Sequence, residues 1–557
     1  MGVTRRTISP AVACMAAALV AALFSLAAPA RALAAGQTGS LVVSATDGAS
    51  TSLRAYQLFD ADVSDGPNGK VLSNVAWASA DAKAAVEGAI AAQDASYAGT
   101  TAQDAADWLQ ENVSSDASAA PVSESVPAVV AAKLAAGNAG YRSVAADEPA
   151  TLSAGYWLVM GDPDAVGAGQ AASAAILVAV GGSKATATTK TAVPTVEKSV
   201  REDSTDAWGK AADATMGDDL YWRLEARVPA VALAYDSYHV TFRDTLSAGI
   251  GKPEDVRVYV AAAGVSPWRK GADPDVTSGW TRLDAGEFTC DYATAAGGTA
   301  TLDVKVTDVL GSAARHGVSA YGGLSVCVVY DAPLDSDAGH GAAGGNLNVT
   351  TLRYPNSPYA AGEGETTEAR AIAYCWDVRL VKRDSTNDKA LSGAVLRVTD
   401  DRGRHLAQDG TWTLDDATVT TGADGSVSAS GVDSGTFSVE EVTAPTGHTR
   451  FSGARKLVLK VTGLDVEQVA SARPVLTVSA QSPLRADGVA KDTSLATVSV
   501  LNDVTSGAGG SGASGGLFGL PKTGDSAPLA LAVLLAVAGV ALVVASRRRA
   551  RRSSGLK

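Results

Sequence analysis

Val256-Arg257-Val258-Tyr259-Val260 sets β-branched residues at every second position, the period that sends successive side chains to opposite faces of a strand. The pattern returns in Ser40-Leu41-Val42-Val43-Ser44 and in Lys456-Leu457-Val458-Leu459-Lys460, with turn-rich stretches between. Gly, Thr, Val and Asp are abundant throughout, so the chain reads as all-β. Helical spacing is concentrated in residues 82–92 and 102–113, which are Ala-rich with apolar residues at helical intervals. These stretches predict short helices decorating a β domain.

Both ends read as processing signals. Arg5 and Arg6 precede an apolar stretch over residues 11–28 and then Ala32-Leu33-Ala34, the pattern of a cleaved secretory signal. At the other end, Leu520-Pro521-Lys522-Thr523-Gly524 stands before an apolar run over 528–545 that closes on Arg547, Arg548, Arg549, Arg551 and Arg552. That run is long enough to cross a bilayer as a helix, and the arginines hold its end in the cytoplasm. The tail resembles the sorting signal of Gram-positive surface proteins, in which sortase cuts between Thr and Gly and passes the Thr carbonyl to an amine. The resemblance implies a cut between Thr523 and Gly524.

Between the ends, composition predicts three domains of ordinary size. Residues 1–34 are the signal peptide, 35–189 a first domain, 190–370 a middle domain and 371–505 a third. Residues 506–519 are a Gly/Ser spacer, and 520–557 carry the sorting signal, transmembrane helix and basic tail. The first boundary falls in the small, polar residues 181–194, a linker or an exposed edge strand. The second falls in 359–367, after which 371–381 reads as a new strand.

Four motifs follow one another in the third domain: Val381-Lys382-Arg383-Asp384, Leu391-Ser392-Gly393-Ala394, Thr436 to Gly447 with Glu440-Glu441-Val442-Thr443-Ala444-Pro445-Thr446-Gly447, and Val498-Ser499-Val500-Leu501-Asn502. Together they resemble a CnaB-type domain, the small immunoglobulin-like β-sandwich of Gram-positive adhesins and pilins. The resemblance implies that Lys382 bonds covalently to Asn502 with the help of Glu441. A Lys buried among apolar neighbours loses the solvation that favours its ammonium form and becomes a neutral nucleophile. An acid in the same dry pocket stays protonated, polarises the Asn carbonyl and passes protons to the departing ammonia. The isopeptide product also removes the cost of burying a charge. On generic grounds alone, Lys382 and Glu441 would be a surface ion pair on a strand.

The middle domain opens with Val193-Pro194-Thr195-Val196-Glu197-Lys198, contains Arg243-Asp244-Thr245-Leu246-Ser247-Ala248-Gly249 and nears its end with Asn346-Leu347-Asn348 and Leu352-Arg353-Tyr354-Pro355-Asn356-Ser357-Pro358. It looks like the middle isopeptide-forming domain of backbone pilins. By that resemblance Lys198 is the nucleophile, Asp244 the acid and Asn348 the acceptor amide, with Asn356 and Asn346 as alternatives. Asp244 also suits a turn residue bonding its own backbone. Each bond would join the first strand of its domain to the last, so tension would bypass the sheet hydrogen bonds. The first domain is similar to the N-terminal domain of the same pilins through Leu53 to Phe59, Leu72 to Trp77 and Gly155-Tyr156-Trp157-Leu158-Val159, but holds no Lys, acid and Asn set. In this family the amine that receives the sortase product is a Lys just ahead of the Pro-x-x-Glu-Lys start. Lys190 holds that position, with Thr188-Thr189 before it in place of Tyr-Pro, and Lys184 is the alternative.

Other chemistries are excluded or weak. Net charge is −13 and basic residues are scattered outside the two signals, which argues against nucleic acid. Beyond Cys14, the odd set Cys290, Cys327 and Cys375 has no metal-type spacing and makes no disulfide framework, while a single Cys290–Cys327 pairing stays open. Residues 60–66 faintly resemble a calcium loop but read better as a polar turn. The five His are scattered singly, no metal or other cofactor is implied, and no hydrolase constellation is present. The resemblances imply a secreted, cell-surface backbone pilin, a sortase substrate and not an enzyme with turnover. Its implied partners are sortase, identical subunits, accessory pilins, peptidoglycan and a host or partner-cell ligand. The competing reading is a monomeric wall-anchored adhesin or a minor pilin.

Overall fold

The computed structural model describes residues 37–67, 69–114 and 119–505. The signal peptide, the spacer, Leu520 to Gly524 and the apolar run lie outside these residues. The described residues up to Val504 form one compact unit. Among them no helix is long and apolar enough to cross a membrane. The architecture is a series of β-sandwiches with few helices, as the alternating sequence predicts.

In the first, a five-stranded sheet (Gly69–Trp77, Ser52–Gly66, Gly155–Gly161, Ile176–Val180, with Arg142–Ala145 beside Ser52–Gly66) lies with a three-stranded one ordered Pro149–Ser153, Thr38–Ser44, Ala185–Thr188. The stretch read as a linker or edge strand is thus an edge strand, paired in parallel to Thr38–Ser44. Residues 60–66, expected to turn, continue the Ser52–Gly66 strand instead. Their acidic side chains sit on the open face of a hairpin with Gly69–Trp77, where alternation with Ala61 and Val63 is satisfied. Helices Ala80–Gln93 and Ala102–Asn112 form where helical spacing predicts them; the second starts on a Thr101/Asp104 capping box. A third helix, Val126–Ala136, was not legible: it is apolar almost all round, so it has no polar face to mark its period. All three helices contribute to one core with Tyr56, Phe59 and Leu158.

The middle sandwich faces a six-stranded sheet, ordered Ala207–Gly209, Thr195–Glu202, Tyr221–Val228, Leu324–Asp331, Glu254–Ala262, Thr281–Arg282, against a second sheet ordered Ala211–Asp213, Ala369–Tyr374, Asn346–Pro355, Val240–Leu246, Ala300–Val306, Phe288–Thr294. Trp222, Tyr238, Phe242, Tyr330 and Tyr354 fill the space between. The third sandwich pairs a four-stranded sheet (Ser426–Val432, Trp376–Asp384, Leu495–Asn502, Leu484–Val489) with a sheet built around Val395–Thr399, Gly435–Thr443, Arg455–Thr462 and Val475–Ala480. The run read as one strand over 371–381 is two. Ala369–Tyr374 completes the middle sandwich and Trp376–Asp384 opens the third, with Cys375 buried at the join.

Candidate functional site

Alternation alone drives a polar triad into each of the last two cores. On Thr195–Glu202 the inward positions are Val196, Lys198 and Val200; on Val240–Leu246 they are Val240, Phe242, Asp244 and Leu246. On Asn346–Pro355 they run Asn346, Asn348, Thr350, Leu352, Tyr354. Because the side-chain period is two, Lys198 cannot turn to solvent without exposing both valines. Lys198, Asp244 and Asn348 consequently have no exposed surface. Lys198 comes from one sheet, while Asp244 and Asn348 lie on adjacent strands of the other, with Leu246 opposite Asn348.

Both Asp244 oxygens bond the Lys198 amine, at 2.7 and 2.8 Å. The Asn348 Nδ2 donates at 2.6 Å to the hydroxyl of Tyr330, which itself donates to Asp244 and lies 3.4 Å from the amine. The amine sits 5.5 Å from the Trp222 ring centre. Burial drives the Lys198 pKa down to about 8 against the pull of Asp244, and burial pushes Asp244 up against the pull of Lys198. Both shifts favour a neutral amine beside a neutral acid. Asn346 and Asn356, the alternatives, are occupied elsewhere: Asn346 bonds the backbone of Gly339 and Ala373, and Asn356 that of Glu363.

The third sandwich repeats the logic with another topology. Lys382 and Asn502 sit on neighbouring parallel strands of one sheet, with Asp384 opposite Asn502, and Glu441 points in from the facing sheet between Val439 and Phe451. Lys382 bonds the Asn502 side-chain oxygen, lies 3.1 Å from Glu441 Oε1, and Asn502 Nδ2 donates to that same Oε1 at 2.8 Å. Lys382 and Glu441 are 0 % exposed, which rules out the surface ion pair. Burial lowers the Lys382 pKa to about 8, opposed by Glu441.

One expectation needs correcting. Asn348 is not on the last strand of its sandwich; Glu363–Glu365 and Ala369–Tyr374 follow it in the same sheet. Sequence reasoning also missed Tyr330, the one aromatic residue of the strand Leu324–Asp331, which is buried on both faces and so has no spacing to announce it.

Lys190 is half-buried at the edge of an open groove of about 820 Å3 lined by Ile176, Val178, Thr188, Pro121 and Val231. Its backbone is fixed by Ser173 Oγ and by the Ala174 N–H, and among the described residues its amine has no hydrogen-bond or ionic partner. Lys184 is exposed in the bend before Ala185–Thr188. Cys290, Cys327 and Cys375 are free thiols. Among the described residues Asp284, Glu287 and His316 could offer ligand atoms within 4.8 Å of one another. Glu287 is already bonded by His316 at 2.7 Å and faced by Arg315 at 2.9 Å, so a cation stands where a metal would bind.

Residues 377–470 match the family SpaA, a prealbumin-like fold domain. That span holds Lys382 and Glu441 and stops short of Asn502. No curated protein matches the chain. Among solved structures, the chain is similar to the T6 backbone pilin of serotype M6 Streptococcus pyogenes, at 14% identity over 85% of this chain and 100% of that one, with a TM-score of 0.45. It is also similar to the major pilin SpaD of Corynebacterium diphtheriae, at 13% identity over 84% and 97%, TM-score 0.40. A third is BcpA, the major pilin subunit of Bacillus cereus, at 12% identity over 84% and 99%, TM-score 0.37.

Proposed function

We propose that this chain is the repeating subunit of a covalent cell-surface pilus, a backbone pilin. It is secreted, joined by sortase from Thr523 of one subunit to Lys190 of the next, and finally attached to peptidoglycan. The single observation that carries the reading is the pair of fully buried Lys, acid and Asn triads, one in each of the last two sandwiches. A structure that needed only to fold would place these residues outside, because buried charge costs several kcal/mol unless it is neutralised. The match of residues 377–470 supports the same reading.

The chemistry follows from the geometry. The neutral amine of Lys382 attacks Cγ of Asn502, Glu441 takes a proton from the amine and returns one to the departing nitrogen, and ammonia leaves. In the middle sandwich Lys198 attacks Cγ of Asn348 and Asp244 takes the proton from its amine. Each cross-link closes a loop of more than 100 residues and adds roughly 5 kcal/mol by the loop-closure argument. In the third sandwich the bond ties the first strand to the last, so tension passes from Lys382 to Asn502 without loading the sheet. In the middle one it ties the two sheets face to face, and the strands after Asn348, Glu363–Glu365 and Ala369–Tyr374, lie outside the closed loop. The free amine of Lys190, on its edge position beside an open groove, suits an acceptor.

The polymer is tested in the native cell by SDS-resistant high-mass ladders. Wild type should give a ladder and Lys190→Ala should collapse it to monomer. A ladder surviving Lys190→Ala overturns the acceptor; its absence in wild type overturns the polymer.

A further inference from the structure

The two triads differ in a way that a shared mechanism must accommodate. In the third sandwich the acid is a glutamate, and one oxygen, Oε1, touches both the amine of Lys382 and the departing nitrogen of Asn502, at 3.1 and 2.8 Å. In the middle sandwich the acid is an aspartate, one methylene shorter. Both its oxygens are taken by Lys198, and Asn348 Nδ2 donates instead to Tyr330. The Tyr330 hydroxyl fills the gap, bonded to Asp244 on one side and to Asn348 on the other. Tyr330 has no exposed surface, and burial pushes its phenol well above the ordinary range, so it keeps its proton.

We infer that Tyr330 is a catalytic residue of the middle sandwich, relaying a proton from Asp244 to the leaving nitrogen of Asn348. The inference rests on the isopeptide reading above. Lys198 Nζ bonds to Cγ of Asn348 and the Cγ–Nδ2 bond breaks. Of the two hydrogens on the neutral amine, one stays on the new amide and one passes to Asp244. Asp244 hands a proton to the phenol oxygen as the phenol hands its own to Nδ2, which departs as ammonia with three hydrogens. Asp244 and Tyr330 end as they began. Aspartate plus tyrosine thus spans what glutamate spans alone.

The test follows bond formation in the full chain after synthesis, by intact mass and by mapping the two cross-linked peptides, with Lys382–Asn502 as the internal control. Tyr330→Phe should slow the Lys198–Asn348 bond about 100-fold or more, the scale of a lost proton-transfer group, and leave the control unchanged. Adding Asp244→Glu to Tyr330→Phe should restore the bond, because the longer acid reaches Nδ2 directly. Wild-type speed in Tyr330→Phe overturns the relay. A loss that Asp244→Glu fails to restore also overturns it, since the phenol would then hold packing and not a proton. Absence of the Lys198–Asn348 bond in wild type defeats the isopeptide reading itself, whatever Tyr330 does.

Discussion

A lysine amine with no contact to water is an expensive object, and the described residues hold two of them. At Lys382 the cost is set by Glu441 and Asn502, which complete its shell together with the ring of Phe451 at 5.4 Å. Asn502→Ala removes the acceptor and leaves Lys382 as a titratable group, and the sign of its effect can be worked out. The folded-state pKa is about 8, below the ordinary 10.5. Between those values the unfolded chain holds a proton that the folded one lacks, so stability rises with pH across the window and carries its full penalty below pH 8. Calorimetry of Asn502→Ala should therefore show a third-sandwich transition that is lower than wild type by roughly 5 kcal/mol at pH 7 and that recovers in part by pH 10. The wild type, its amine consumed, should show no such recovery; a flat profile in the variant would contradict the account. Lys382, Glu441 and Asn502 were legible in the sequence because each belongs to a local motif whose neighbours are fixed. Tyr330 was not, because its strand is buried on both faces and shows no alternation, and its role arises from its place against Asp244 and Asn348 of the facing sheet, which no local pattern encodes.

The strands themselves were readable wherever one face is buried, as in Asn346–Pro355, where inward and outward residues alternate along the whole element. They were misread where alternation runs through a join. Residues 371–381 keep their pattern across Cys375 although the chain there passes from one sandwich to the next, because both sides of the join are buried. The join is also where carboxyl groups from different elements meet. Glu202 and Asp203 end the Thr195–Glu202 strand, Asp213 accepts from Trp376 Nε1 at 2.7 Å and from the Ser434 N–H, and Asp433 lies in the turn before Gly435–Thr443. Arg402 bonds Asp203 and Asp218 from the third sandwich. Burial and the nearby Asp213 push Glu202 up to about 7, and the same causes push Asp433 well above the usual carboxylate range. Groups whose folded pKa is raised bind protons more tightly when folded, so this contribution is complete in mild acid and is lost as pH rises to about 7. The thermal midpoint should fall from pH 5 to pH 7.5, and Glu202→Gln should flatten the fall. A midpoint that climbs over this range, or an unaltered slope in the variant, would contradict the role given to the join.

For the whole molecule, the buried triads are unevenly placed. The last two sandwiches each hold one triad, whereas the first combines two small sheets and three helices with no such set among its described residues, which makes it the part most open to unfolding and proteolysis. Strength under load and durability both require that the triads have reacted. The direct measurement is the intact mass of the wild-type mature chain, with the cross-linked peptides mapped. Each bond releases one ammonia, about 17 Da. The account predicts two such losses, assigned to Lys198 with Asn348 and to Lys382 with Asn502, one vanishing in Lys198→Ala and the other in Lys382→Ala. A wild-type chain at its full unreacted mass, with both lysines recovered in free peptides, would contradict it.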